Sequence, residues 1–238
     1  MHLNTLSTPE AVLSAAQRSL RQAVEGRQGK PLLLMLAGGS AFSLLDASLA
    51  ELLDASCVLM VLDERFSMDP SINNFAQLSH TAFFHAAERR DVGYIDSRIH
   101  EDEDVHDVAL RFEALLRAWC AAHPDGEIIA TMGIGPDGHI AGVMPFPENP
   151  SLFASLFLEA DRWVVGYDAG QKNPYPVRMT TTLPFLRERV TCAVVYAIGG
   201  EKQAALQRCT VTQGILAETP ARILREIKRV DLFTDCLL

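Results

Sequence analysis

The sequence predicts an α/β fold on a largely parallel sheet. Two observations carry this. Segments with helical apolar spacing alternate along the chain with short apolar runs, and several of those runs are apolar at every position, as strands covered on both faces are. No long linker or internal repeat interrupts the alternation, so residues 1–238 are expected to form one domain.

Thr8-Pro9-Glu10 opens the first helix with a hydroxyl cap, a proline in the first turn and an acid near the positive end. Val12, Leu13, Ala16, Leu20, Ala23 and Val24 form its apolar stripe, and Gly26 and Gly29 stop it. Pro31 to Ala37 reads as a strand, broken by Gly38-Gly39-Ser40, after which Phe42, Leu44, Leu45, Leu49, Leu52 and Leu53 predict a second helix. Cys57 to Leu62 is the next strand and ends at Asp63-Glu64-Arg65. A helix is expected from about Asn73 to Ala87. A stronger one runs from Asp104 to Ala122, with Val108, Phe112, Leu115, Leu116 and Trp119 on one stripe. Glu127 to Met132 is a strand leading into Gly133-Ile134-Gly135-Pro136-Asp137-Gly138-His139. Arg162 to Tyr167, Val190 to Ile198 and Val230 to Phe233 read as further strands, with helices at Glu201 to Arg208 and Ala221 to Ile227.

Composition bounds the function. Apolar residues make up 48% of the 238 positions and charged ones 21%, as in a globular chain rather than a disordered or fibrous one. Asp and Glu number 30 against 21 Lys and Arg, a formal charge of −9. An acidic chain without a basic run is a poor partner for nucleic acid or an anionic membrane, although a few local cations can still hold a small anion. The five cysteines form no C-x-x-C pair, which disfavours a disulfide framework or a zinc site and fits a reducing compartment. His80 with His85, and His100 with His106, lack metal-ligand spacing, and no metal is expected. No signal peptide or membrane-spanning run is visible, so the expectation is a cytoplasmic protein, monomeric or a small homo-oligomer.

In open α/β sheets ligands bind outside the carboxyl ends of the strands. Four strand-end segments therefore matter: Gly38-Gly39-Ser40, Asp63-Glu64-Arg65, Gly133 to His139, and Gly199-Gly200-Glu201-Lys202. Gly38-Gly39-Ser40 suits a phosphate cradle, and equally a tight strand-to-helix turn capped by Ser40. Gly133, Gly135 and Gly138 spell a dinucleotide fingerprint, but Pro136 removes an amide, and His139 and Pro145 fall where that motif wants a smooth helix. Dinucleotide binding ranks low, and the P-loop pattern is absent.

Taken together these segments resemble the 6-phosphogluconolactonase family and its relative, the glucosamine-6-phosphate deaminases. The pieces are Gly38-Gly39-Ser40, Asp63-Glu64-Arg65-Phe66, Asn73-Asn74-Phe75, Gly133 to Ala141, Arg178-Met179-Thr180, Gly199 to Lys202 and Pro220-Ala221, in the family's order. The resemblance implies a modified Rossmann-like, three-layer α/β/α fold. It also implies hydrolysis of a phosphorylated sugar lactone, 6-phosphogluconolactone, to 6-phosphogluconate without a cofactor. The deaminases look like D-E-Y where this chain has Asp63-Glu64-Arg65, and they carry a glutamate where this chain has Met144. Both differences favour the lactonase; a deaminase or isomerase, or a non-catalytic sugar-phosphate binder, is the alternative. The chain departs from the lactonase pattern at Ala41 and at Gly142-Val143-Met144.

On this resemblance His139 is the general base that activates water. Asp137 orients the imidazole, binds a sugar hydroxyl, or bonds its own backbone as a turn aspartate. Gly38, Gly39, Ser40, Arg178 and Lys202 hold the phosphate. Lys202 in the first turn of a helix is electrostatically unfavourable, which favours a nearby anion. Arg65 contacts the sugar acid or polarises the lactone carbonyl, or else pairs with Asp63 or Glu64. Asp63 contacts the sugar or positions Arg65, and Asn74 is a further hydrogen-bonding candidate.

Overall fold

The computed structural model describes residues 1–238 and is an α/β fold with a mostly parallel central sheet. In chain order the elements are β1 (His2–Thr5), α1 (Pro9–Glu25), β2 (Leu32–Leu36), α2 (Ala47–Ala50), β3 (Cys57–Val61), β4 (Asp63–Arg65), α3 (Asn74–Ser79) and α4 (Ala82–Glu88). They continue with β5 (Gly93–Tyr94), α5 (Val105–Ala122), β6 (Glu127–Met132), α6 (Pro150–Phe157), β7 (Val164–Asp168), β8 (Val177–Thr181), α7 (Leu183–Arg189), β9 (Cys192–Tyr196), α8 (Gln203–Thr210) and β10 (Val230–Thr234). Seven strands form one sheet in the order β1-β10-β9-β6-β2-β3-β5, every neighbouring pair parallel. β4, β8 and β7 form a separate antiparallel sheet.

Every residue of β2 and β9 is buried, which accounts for their unbroken apolar sequences. Helix α1 begins as its sequence dictates, Thr8 Oγ1 accepting from the Ala11 amide at 3.2 Å. Asp104 and Asp107 form a reciprocal capping box at the start of α5. One contiguous apolar core joins the two sheets and their helices. No helix is long and apolar enough to cross a membrane.

Several elements differ from expectation, each for a local reason. The helix expected over Phe42 to Leu53 is a 3-10 turn, Gly39–Leu44, followed by α2, because Asp46 Oδ1 accepts from Leu49 N at 2.8 Å and starts a new helix. The helix expected from Asn73 to Ala87 is split, since Thr81 caps α4 through Phe84 N at 3.1 Å. The helix expected over Ala221 to Ile227 is a 3-10 segment, Pro220–Arg225. β1, β4, β5, α6, β8 and α7 were not anticipated as elements. For the short strand β4 the stabilising interaction is pairing with the distant β8, which local periodicity does not encode.

Candidate active site

The strand order places the site. From β2 the chain moves to β3 on one side, whereas β6 lies on the other, so the connections leaving β2 and β6 diverge and open a crevice between them. A cleft of about 240 Å³ occupies that position. Its walls include Gly38, Gly39 and Ser40 after β2, Asp63 and Arg65 in β4, Asn74 in α3, His139 after β6, Arg178 in β8 and Lys202 before α8. All the site residues expected from the sequence thus line one cleft except Asp137, which stands behind His139.

After Leu62 the chain leaves the parallel sheet and enters the small antiparallel one. Asp63 pairs with Thr180, Glu64 with Met179 and Arg65 with Arg178. Alternation along β4 sends Asp63 and Arg65 to the cleft and Glu64 to the opposite face. Arg65 and Arg178 stand directly across the two strands, an arrangement of like charges that costs stability unless screened. Asp63 supplies the screen: Arg178 Nη2 donates to Asp63 Oδ2 at 2.8 Å, with both residues buried. This corrects one reading: Asp63 positions Arg178 rather than Arg65. Arg178 reaches the cleft as half of a buried ion pair. Arg178 keeps an unpartnered Nε. Arg65 forms no side-chain pair with Asp63 or Glu64; its guanidinium lies over the Tyr175 ring, 4.8 Å from the centroid.

The loop after β6 carries the closest polar contact of the site. Asp137 Oδ1 lies 2.6 Å from His139 Nδ1 and also accepts from the His139 amide at 3.1 Å. The same carboxylate oxygen thus contacts both the imidazole and the turn backbone. Burial raises the Asp137 carboxyl, but its hydrogen bond to His139 and the charge there outweigh burial and bring it below the ordinary aspartate range. Gly135 makes room for the pair, since a Cβ there would sit 2.1 Å from the His139 ring. The loop lacks the helix a dinucleotide fingerprint needs: the next helix after β6 is α6, which begins at Pro150.

Asn74 Nδ2 donates to the Asp63 carbonyl at 3.0 Å, leaving Oδ1 without a partner. A side chain at Gly38 would collide with that oxygen, so the glycine is what allows Asn74 to reach the cleft. Lys202 ends the 3-10 turn Gly200–Lys202, and burial pushes its ammonium below the usual lysine range. Ser40 is exposed at the cleft rim, inside the 3-10 turn Gly39–Leu44, whose N-cap is Gly38, so it does not cap that turn. No three His, Cys, Asp or Glu side chains converge as a metal-ligand set.

Glu64 is the functional-site residue that the sequence reading missed. Its carboxylate accepts from Arg65 N at 2.8 Å, Asn74 N at 2.5 Å, Phe75 N at 3.0 Å and Ser97 Oγ at 2.8 Å. It therefore ties β4 to the start of α3 from behind the cleft wall. Burial pushes it up to about 7, against the pull of those donors. The signal was available: in a strand bearing two cleft residues one apart, the residue between them must face the core.

Comparison with known proteins follows this geometry. The profile of the family described as glucosamine-6-phosphate isomerases/6-phosphogluconolactonase matches residues 7–232. A 6-phosphogluconolactonase of Caulobacter vibrioides is 32% identical over 146 residues, which are 60% of this chain and 58% of that protein, less than two thirds of its length. A 6-phosphogluconolactonase of Borreliella burgdorferi is 26% identical over 82% of this chain and 72% of its own. Among solved structures, the 6-phosphogluconolactonase of Trypanosoma brucei superposes with a TM-score of 0.75 at 20% identity, covering 98% of this chain and 95% of that one. The Shewanella baltica OS155 protein of the same name gives 0.72 at 17% identity, covering 98% and 97%. At such identities the structural likeness shows the fold.

Proposed function

The chain belongs to the glucosamine-6-phosphate isomerase/6-phosphogluconolactonase family, and on that premise we propose that it hydrolyses 6-phosphogluconolactone to 6-phosphogluconate. The observation that carries this reading is the Asp137–His139 pair at the wall of a cleft whose lining holds three cations, Arg65, Arg178 and Lys202, against one carboxylate, Asp63.

An ionised Asp137 accepts Nδ1–H of His139, which leaves Nε2 as the proton acceptor. In the proposed reaction His139 Nε2 removes a proton from water as its oxygen attacks the lactone C1. A tetrahedral oxyanion forms, the C1–ring oxygen bond breaks, and the proton returns from His139 to the departing ring oxygen. Arg65 polarises the C1 carbonyl and meets the developing oxyanion. Lys202, the free edge of Arg178 and the backbone amides of Gly39 and Ser40 hold the phosphate, and Asn74 Oδ1 accepts a sugar hydroxyl. The anchor keeps C1 within reach of the base. Because the whole chain is acidic, this local cluster must act against the overall field.

The deaminase activity of the same family is disfavoured by Met144, which is fully buried and cannot move a proton. Assays of acid release from 6-phosphogluconolactone and ammonia release from glucosamine 6-phosphate separate the two. The proposal expects the first alone, and ammonia release without lactone hydrolysis would overturn it.

A further inference from the structure

The residue facing Arg65 from outside the cleft is Tyr175, an exposed side chain on a loop whose backbone is tied down at several points. It lies between Pro174 and Pro176. Each proline fixes its own φ, and Pro176 also keeps Tyr175 out of the helical region. Tyr175 N donates to Asn173 Oδ1 at 3.0 Å, and Ala169 N donates to Pro176 O at 2.8 Å, which closes the loop between β7 and β8 at its base. Lys172 ties the same loop down by pairing with Glu148 at 2.6 Å.

From this frame the Tyr175 ring meets the Arg65 guanidinium at 4.8 Å, while the Tyr175 carbonyl faces Arg178 Nη1 at 3.5 Å. Beyond Arg65 lies a second cavity of about 150 Å³, bounded by Ile72, Pro174, Tyr175 and Val177. Arg65 lines both spaces. An arginine carries large rotamer freedom, and nothing else in the structure pairs with this guanidinium. We propose that Tyr175 is a positioning residue for Arg65, its ring fixing the guanidinium at the boundary between the cleft and the side cavity. The inference rests on the role given to Arg65 in lactone hydrolysis, and it adds a residue outside the cleft on which that role depends. Cation–π contact needs only the ring face, so the tyrosine hydroxyl is dispensable.

Two measurements on the full chain test it. The first uses the resting protein: the Arg65 Nε–H resonance carries a ring-current shift in wild type and in Tyr175→Phe, and loses it in Tyr175→Leu. The second is kinetic, with 6-phosphogluconolactone. Tyr175→Leu lowers kcat about threefold to tenfold, the scale of one cation–π contact, with KM and 6-phosphogluconate affinity within about twofold of wild type. Tyr175→Phe restores kcat, and Arg65→Ala/Tyr175→Leu is no slower than Arg65→Ala alone. An absent ring-current shift in wild type, unchanged kcat in Tyr175→Leu, or multiplying losses in the double variant would each overturn the proposal. A wild-type chain that does not hydrolyse the lactone overturns the functional reading instead, and the resonance still decides whether Tyr175 holds Arg65.

Discussion

Asp137 Oδ1 stands 2.6 Å from His139 Nδ1, with the carboxylate behind the ring and the ring at the cleft wall. Hydrogen bonding to His139 and the charge there keep the Asp137 carboxyl ionised against the opposing effect of burial. Asp137→Asn keeps the volume but removes the charge that steadies a protonated imidazole. The expected result is a fall in kcat of about tenfold to a hundredfold, within the range that general base catalysis supplies, with KM changed far less. Steady-state kinetics check it, and an unchanged kcat would show that His139 needs no orienting partner.

Gly135 provides a steric test of the same pair. A methyl group there would lie 2.1 Å from His139 Cε1 and Nδ1 and 2.6 Å from Asp137 Oδ1. Gly135→Ala should move the imidazole off its position and lower kcat at least tenfold, since small displacements of a catalytic group cost about a hundredfold in rate. Thermal melting should show a folded chain. Full activity in the alanine variant would mean that the observed ring position is not the working one.

The phosphate role proposed for Lys202 carries an alkaline limit. Burial lowers its pKa, so it loses its charge below the ordinary lysine value of about 10.4. Calorimetry of 6-phosphogluconate binding should show affinity falling on the alkaline side before an exposed lysine would titrate. Lys202→Met should bind more weakly at neutral pH and lack that fall. The same alkaline fall in both proteins would place the titrating group elsewhere.

Glu64 makes stability depend on pH in the direction opposite to most carboxylates. Its folded value, about 7, lies above that of the unfolded chain. The folded state therefore holds the extra proton between about 4.3 and 7. The stabilisation is complete below that window and is lost as pH rises through it, by up to about 4 kcal/mol. Urea unfolding at pH 5 and pH 8 should show this decline in wild type and a smaller one in Glu64→Gln. Equal declines would contradict it.

What was legible in the sequence depended on how local each stabilising interaction is. α1 and α5 carry their caps and stripes within their own residues, and β2 and β9 carry their burial in unbroken apolar runs. β4 exists through pairing with β8 across 113 to 117 residues of chain, as with Arg65 opposite Arg178 and Asp63 opposite Thr180, and no window contains both. The site shows the same division. Asp137 and His139 are two residues apart, and their contact could be anticipated from spacing. The Asp63–Arg178 pair, the buried Glu64 and the Tyr175 ring over Arg65 appear only when distant segments meet.

The central claim is that His139 moves the proton. Hydrolysis of 6-phosphogluconolactone by wild type and His139→Ala, corrected for spontaneous opening of the lactone, tests it most directly. In the variant, kcat is expected to fall by about a hundredfold or more while 6-phosphogluconate still binds with near wild-type affinity. A His139→Ala chain that turns over the lactone at close to the wild-type rate would contradict it.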